Sequence, residues 1–173
     1  MFVENLLRDI VNENCKAAQG LYHSLVLLVG EPGSGKTGLL CDMGEEFGSS
    51  VVNVNLVLSE KLLELTATQR SIRVPSMLAE IAAKSQSTLL LDNLEILFEK
   101  GLQQDPLRLL QSVSRNRTVV ASWNGRLNCG RLLYAETGHP EYRHYDSVDA
   151  LIVGMDGAST FVSEKNNRET GQA

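Results

Sequence analysis

The chain has 173 residues, 43% of them hydrophobic, which is enough for one sizeable core and leads to the expectation of a single domain over residues 1–162. Its 21 acidic residues outnumber 16 basic ones, giving a net charge of −5 and a pI near 5.2, so the chain as a whole lacks the basic footprint of a dedicated nucleic-acid binder. No apolar run approaches the length of a membrane span, and Glu4, Asp9, Glu13 and Lys16 interrupt the region where a signal peptide would be apolar; the expectation is a soluble, cytoplasmic protein without membrane association. Cys15, Cys41 and Cys129 are isolated, odd in number and without C-x-x-C spacing, and read as reduced thiols.

In chain order, residues 1–20 form the first predicted helix, because Val3, Leu6, Leu7, Ile10 and Val11 recur at helical spacing with charges between them. Gln19-Gly20 ends it. Leu25 to Val29 is an apolar strand, and Gly38 to Phe47 reads as a helix. Between them stands Gly-Glu-Pro-Gly-Ser-Gly-Lys-Thr, which satisfies the P-loop pattern G-x-x-x-x-G-K-[ST] at every position. The glycines let backbone N–H groups turn inward around phosphate oxygens, the lysine brings a mobile ammonium to the β- and γ-phosphates, and the threonine hydroxyl ligates Mg²⁺. Gly30, Glu31, Pro32, Gly33, Ser34, Gly35, Lys36, Thr37 and Gly38 are therefore the expected ATP-binding residues, with the helix N-terminus adding its partial positive charge.

Val51 to Asn55 reads as a second strand with polar groups at its carboxyl end, where doubly wound sheets bind ligands. A short helix is predicted over 59–66 from Ser59, and a longer one over 75–84 with Pro75 in its first turn. The basic segment Gln69 to Arg73 between them reads either as a solvated loop or as a phosphate or DNA contact. Thr88-Leu-Leu-Leu-Asp92 is an apolar strand closing on an acid, the Walker B pattern, and Asp92 would hold Mg²⁺ opposite Thr37. Helical segments and a strand intervene between the two motifs, which fits the additional-strand class of P-loop NTPases, an AAA-like three-layer α/β fold. A mainly parallel five-stranded central sheet is expected, without a full helical lid domain.

Hydrolysis in that class needs a group that orients the attacking water. Asn93 follows Asp92 directly, and the nearest carboxylate is Glu95; an amide orients water but takes no proton. Asp105-Pro106 caps a helix running to Val113, and Thr118 to Trp123 is a fourth strand. Ser122, Asn124 and Arg126 arrive where a γ-phosphate sensor would stand. Asn124 is the choice for that role, with an Asn124-Gly125 tight turn as the alternative. Arg126 and Arg131 precede a fifth strand at Leu132 to Ala135. Residues 138–162 read as a C-terminal extension: a polar aromatic segment in which Tyr142, Arg143 and Tyr145 offer base stacking, then a terminal strand within 148–155. His139 and His144 lack a zinc ligand set. Residues 163–173 read as a disordered polar tail.

Taken together, Gly30 to Thr37, Leu89 to Phe98, Ser114 to Gly125 and Tyr134 to Tyr142 resemble the BrxF family, small AAA-like P-loop proteins of type III BREX phage-defence systems. The resemblance runs from residue 1 to about 155. It implies a nucleotide-binding component acting beside a larger ATPase, a DNA methyltransferase and a phosphatase-like protein, with ATP-site roles for Lys36, Thr37 and Asp92. The chain departs from the wider AAA pattern by carrying Asn at position 93 and too short a tail for a lid. Three functions compete at this stage: a Mg-ATP-dependent ATPase or nucleotide-gated switch, a non-hydrolysing nucleotide-binding adaptor, and a small-molecule kinase. Direct DNA contact would draw on Arg70, Arg73, Arg115, Arg117, Arg126, Arg131 and Arg143, and homo-oligomer assembly is open.

Overall fold

A computed structural model describes residues 2–85, 87–157 and 160–162. Helix α1 (Phe2–Ala18) leads into strand β1 (Leu25–Gly30), which is followed by α2 (Lys36–Phe47), β2 (Val51–Asn53), α3 (Val54–Leu62), α4 (Ala67–Ala83) and β3 (Leu89–Asp92). Two 3-10 turns, Glu95–Phe98 and Lys100–Leu102, then lead to α5 (Pro106–Val113), β4 (Val119–Asn128), β5 (Arg131–Tyr134), β6 (Arg143–Tyr145), β7 (Leu151–Gly154) and β8 (Thr160–Val162).

The sheet is organised around β1. Its run Leu25 to Val29 is buried throughout, as a parallel strand covered on both faces requires. Parallel pairing gives the order β2-β3-β4-β1-β7, with β8 antiparallel at the edge beyond β7. Thus β4 stands between the strand that carries the glycine-rich turn and the strand that ends in Asp92, as the interleaving of the motifs implies. Alternation along the strands sorts the two cores. Leu25, Leu27, Leu89, Leu91, Val119 and Ala121 face α3, α4 and α5 through Leu58, Leu78 and Leu110, whereas Val26, Leu28, Leu90 and Val120 face α1 and α2 through Val11, Leu40 and Met43. The three-layer α/β architecture expected from the sequence is the one observed.

Two helices differ from expectation. Helix α3 begins at Val54, because Asn53 rather than Ser59 is the cap: its side chain accepts the Leu56 N–H at 3.0 Å. Helix α4 begins at Ala67, where Thr66 and Gln69 form a reciprocal capping box, so Gln69 to Arg73 is helix instead of loop and Pro75 lies inside α4 instead of in its first turn. A proline there leaves the carbonyl four residues back without its helical donor. Gln104 supplies one from outside the helix, donating from Nε2 to the Ser71 carbonyl at 2.7 Å.

The fifth parallel strand is β7, inside the terminal strand expected over 148–155. Leu132 to Tyr134 is a strand as well, but it pairs antiparallel with the second half of β4, and β6 pairs antiparallel with it in turn. Asn124-Gly125 is accordingly mid-strand and not a turn. The chain reverses at Cys129-Gly130, both with positive φ (49° and 79°), a twist suited to a two-residue hairpin. Beneath this hairpin Phe98 stacks on Tyr134 with ring centroids 3.4 Å apart, and Trp123 meets both rings and Tyr145 edge-on. The reading of residues 163–173 as a disordered tail lies outside the described residues.

Candidate functional site

Strand β1 ends at Gly30 and the chain turns through residues 31–35 into α2. Gly33 and Gly35 have φ of +82° and +94°, a region L side chains rarely adopt, so glycine is needed at both for the turn to close. At Gly30 the reason is space: a Cβ would lie 2.4 Å from Ser34 Oγ and 2.9 Å from Met155 Cγ. Lys36, only 5% exposed, folds back over this turn, and Nζ donates to Gly30 O (2.7 Å), Glu31 O (2.8 Å) and Ser34 Oγ (3.2 Å). Burial pulls the Lys36 pKa below its ordinary value, and the carboxylates of Asp92, Glu31 and Glu95 partly oppose that shift. An ammonium seated on neutral carbonyl and hydroxyl oxygens can exchange them for a stronger, anionic partner.

Three elements bring the remaining polar groups to the same place. Thr37, in the first turn of α2, donates from Oγ1 to Asp92 Oδ2 at 2.7 Å, and Ser122 on β4 donates from Oγ to Asp92 Oδ1 at 2.6 Å. A hydroxyl and a carboxylate side by side are hard oxygen donors, the set that suits Mg²⁺. Past Asp92 the backbone of Asn93 turns left-handed (φ 53°), and its carbonyl accepts the Asn55 N–H at 2.9 Å, tying the exit of β3 to the first turn of α3. Glu95 opens the following 3-10 turn and accepts from Asn124 Nδ2 at 2.6 Å on Oε1; its Oε2 is buried without a hydrogen-bond partner among the described residues.

Pro32, Gly33, Gly35, Lys36, Thr37, Asp92, Asn93, Glu95 and Asn124 line one cavity of about 390 Å³. Arg126 is not among them. It lines two adjoining cavities, of about 400 and 480 Å³, that share Glu31 and flank the leading limb of the turn. Met155, which sequence reasoning did not select, packs against Gly30, and its N–H bonds Val29 O at 2.9 Å. It stands one residue past β7, and the parallel pairing of β7 with β1, which no local sequence feature states, is what brings it there.

The other arginines are largely engaged with their own surroundings. Arg70 donates to Leu65 O at 2.9 Å, Arg117 to the carbonyls of Ala82 and Ser85, and Arg143 to Tyr142 O at 3.2 Å. Arg131 pairs with Asp146 at 2.7 Å, and Arg115 lies over the Tyr22 ring. Tyr145, offered above for base stacking, spends its ring against Trp123 and its hydroxyl on Asp105 Oδ1 at 3.0 Å.

A glycine-rich turn between a buried parallel strand and a helix, with the acid on a strand one place removed from it, defines an α/β P-loop nucleotide-binding protein of the additional-strand class. Residues 26–121, from β1 into β4, match the model of the AAA family, the ATPase family associated with various cellular activities, and the chain belongs to that family. No curated protein and no solved structure matches the chain. Among the described residues, no helix is long and apolar enough to cross a membrane.

Proposed function

We propose that the 390 Å³ cavity binds Mg-ATP and that the chain hydrolyses it, using the nucleotide state to change a surface read by its partners. The observation that carries this reading is the convergence of Lys36, Thr37 and Asp92, with Thr37 Oγ1 and Asp92 Oδ2 2.7 Å apart. Gly30 to Gly38 would wrap the phosphates, with Lys36 exchanging its rim carbonyls for phosphate oxygens. Thr37 and Asp92 would hold Mg²⁺, which neutralises charge on the phosphate chain when bound. Asn93, Glu95 and Asn124, which line the cavity, would orient the attacking water, and Arg126, which lines the flanking cavities, would act on nucleotide in this subunit or in a neighbour's. The resemblance to BrxF extends this reading to a role in phage exclusion beside a larger ATPase, a methyltransferase and a phosphatase-like protein, with DNA contact through the exposed Arg73 and Arg126.

A second reading, a non-hydrolysing adaptor with a structural nucleotide, is favoured by one residue, Asn93. ATP binding by calorimetry and multiple-turnover phosphate release, for wild type, Lys36→Ala and Asp92→Ala, separate the two. Loss of a charge-assisted contact predicts about 10- to 100-fold weaker binding for Lys36→Ala; undiminished binding would remove the nucleotide reading altogether. Turnover in wild type that Asp92→Ala abolishes supports the ATPase, and binding without release, even with DNA and partners added, supports the adaptor. DNA affinity that did not fall with added salt would argue against phosphate contacts. In a host carrying the complete defence system, Lys36→Ala is expected to restrict phage no better than a deletion.

A further inference from the structure

Strand β4 presents two polar side chains at alternate positions, hence on one face, and each meets one acid of the site. Ser122 Oγ donates to Asp92 Oδ1 and Asn124 Nδ2 donates to Glu95 Oε1, both at 2.6 Å. The donors one strand away therefore follow the acids as those acids actually stand, at 92 and 95, and not the usual adjacent pair. Glu95 itself is fixed from below: it opens a 3-10 turn whose Ile96, Leu97 and Phe98 are buried, and Phe98 and Trp123 help line a void beside it too small for a water molecule. Oε2 is buried and has no hydrogen-bond partner among the described residues, which leaves Oε1, the oxygen that Asn124 orients, as the one through which the carboxylate would act. Asn93 lines the same cavity but has no group that accepts a proton from water at neutral pH.

We infer that Glu95 is the catalytic carboxylate of the hydrolysis proposed above, taking the place of an acid at 93, and that Ser122 and Asn124 are positioning residues, Ser122 for Asp92 and Asn124 for Glu95. In the step, the oxygen of water bonds to the γ-phosphorus while its proton passes to Glu95 Oε1. The bond from that phosphorus to the β–γ bridging oxygen breaks, and its electron pair leaves on ADP. Asn124 keeps a second N–H for the transferring phosphoryl group, so one side chain orients the base and senses the phosphate.

The inference rests on the Mg-ATP reading, and the test separates the two. Steady-state turnover and Mg²⁺ titrations of ATP binding are measured on the intact chain, with Trp123 fluorescence confirming that each variant is folded. Glu95→Gln is expected to keep Mg-ATP affinity within about threefold and lose turnover by about 10²- to 10⁴-fold, whereas Asn93→Ala loses less than about tenfold. Asn124→Ala lowers kcat with KM within about threefold. Ser122→Ala raises the Mg²⁺ concentration for half-maximal ATP binding by about 10- to 100-fold, leaves metal-free ATP affinity as it was, and is rescued by Ser122→Thr. If wild type turns over ATP and Glu95→Gln does so equally well, the assignment of Glu95 falls and the ATPase reading stands; an unshifted Mg²⁺ titration for Ser122→Ala likewise removes the role of Ser122 alone. Wild type that binds no ATP defeats the functional reading itself, and wild type that binds without turnover defeats the catalytic assignment.

Discussion

Replacing Gly125 by alanine tests the hairpin and the site together, because Gly125 is where β4 leaves the parallel sheet, directly after Asn124. A Cβ there would stand 1.9 Å from the Leu133 carbonyl oxygen and 3.1 Å from Trp123 Nε1. The nearer obstacle is backbone and has no rotamer to escape into, so β5 must withdraw by about 1.5 Å to reach ordinary contact. That movement breaks the Gly125–Tyr134 pairing and pulls the Leu133 carbonyl from the buried indole N–H it accepts at 3.0 Å. An indole donor left buried without an acceptor costs about 1–3 kcal/mol, and loosening the Phe98, Trp123 and Tyr134 cluster brings the expected loss to roughly 3–5 kcal/mol, or a Tm lower by about 10 °C. Urea unfolding read by tryptophan fluorescence is the natural assay, since Trp123 is the single tryptophan of the chain and is 1% exposed. Gly101→Ala is the control, because a Cβ at Gly101 meets nothing within 4 Å. If the two variants unfold within about 1 kcal/mol of each other, the pairing of β4 with β5 cannot be the one described.

Other consequences are more local. Cys15 is 5% exposed and burial pushes its pKa up to about 12, whereas Cys41 and Cys129 are exposed, so a thiol reagent at pH 8 should label two cysteines in the folded protein and the third only on unfolding; three equal rates would contradict the packing of α1. The unfolded chain loses the Cys15 proton from its ordinary value of 9.0 upward while the fold retains it to about 12, so stability falls with rising pH in that window by up to about 1.4 kcal/mol per unit, and Cys15→Ala should flatten that part of the profile. Gln104→Ala removes the donor that serves the Ser71 carbonyl and should cost about 1 kcal/mol; in a Pro75→Ala background, where the helix regains its own donor, the same change should cost less, and equal costs in a double-mutant cycle would refute the account of α4.

The legible parts of the fold were those decided by neighbours in sequence. Leu25 to Val29 and Leu89 to Leu91 are apolar runs that only strands covered on both faces would need, and the glycine turn and Asp92 sit at their carboxyl ends, so the meeting of Lys36, Thr37 and Asp92 at one cavity could be read before any coordinates. The helix starts were harder, since Asn53, Ser59 and Thr66 are all competent caps and only the packing of Val54, Leu58 and Leu62 against the sheet selects among them. Pro75 misled for a definite reason: proline belongs at a helix start unless a distant side chain satisfies the carbonyl it orphans, and Gln104 is far along the chain. Leu132 to Tyr134 and Leu151 to Gly154 are both short apolar strands, and nothing local to either states that one pairs antiparallel with β4 and the other parallel with β1.

What lies outside the matched family region governs the unusual part of the site. Residues 26–121 contain the glycine turn, Lys36, Thr37, Asp92 and Glu95, but they stop one residue short of Ser122 and exclude Asn124 and the whole β5–β6 hairpin. Those excluded residues supply the donors to both acids and the ring, Tyr134, on which Phe98 of the Glu95 turn stacks. Glu95 would otherwise rest on a short 3-10 turn, a weak support, and the missing constraint comes from aromatic packing on Tyr134 of the hairpin and from one short hydrogen bond donated by Asn124 of β4. Under the proposed function, grip on phosphate and placement of the acid would therefore be separable in this chain. Damage to the hairpin that leaves β1 and α2 intact should spare nucleotide affinity and strike turnover, the reverse of what Lys36→Ala does.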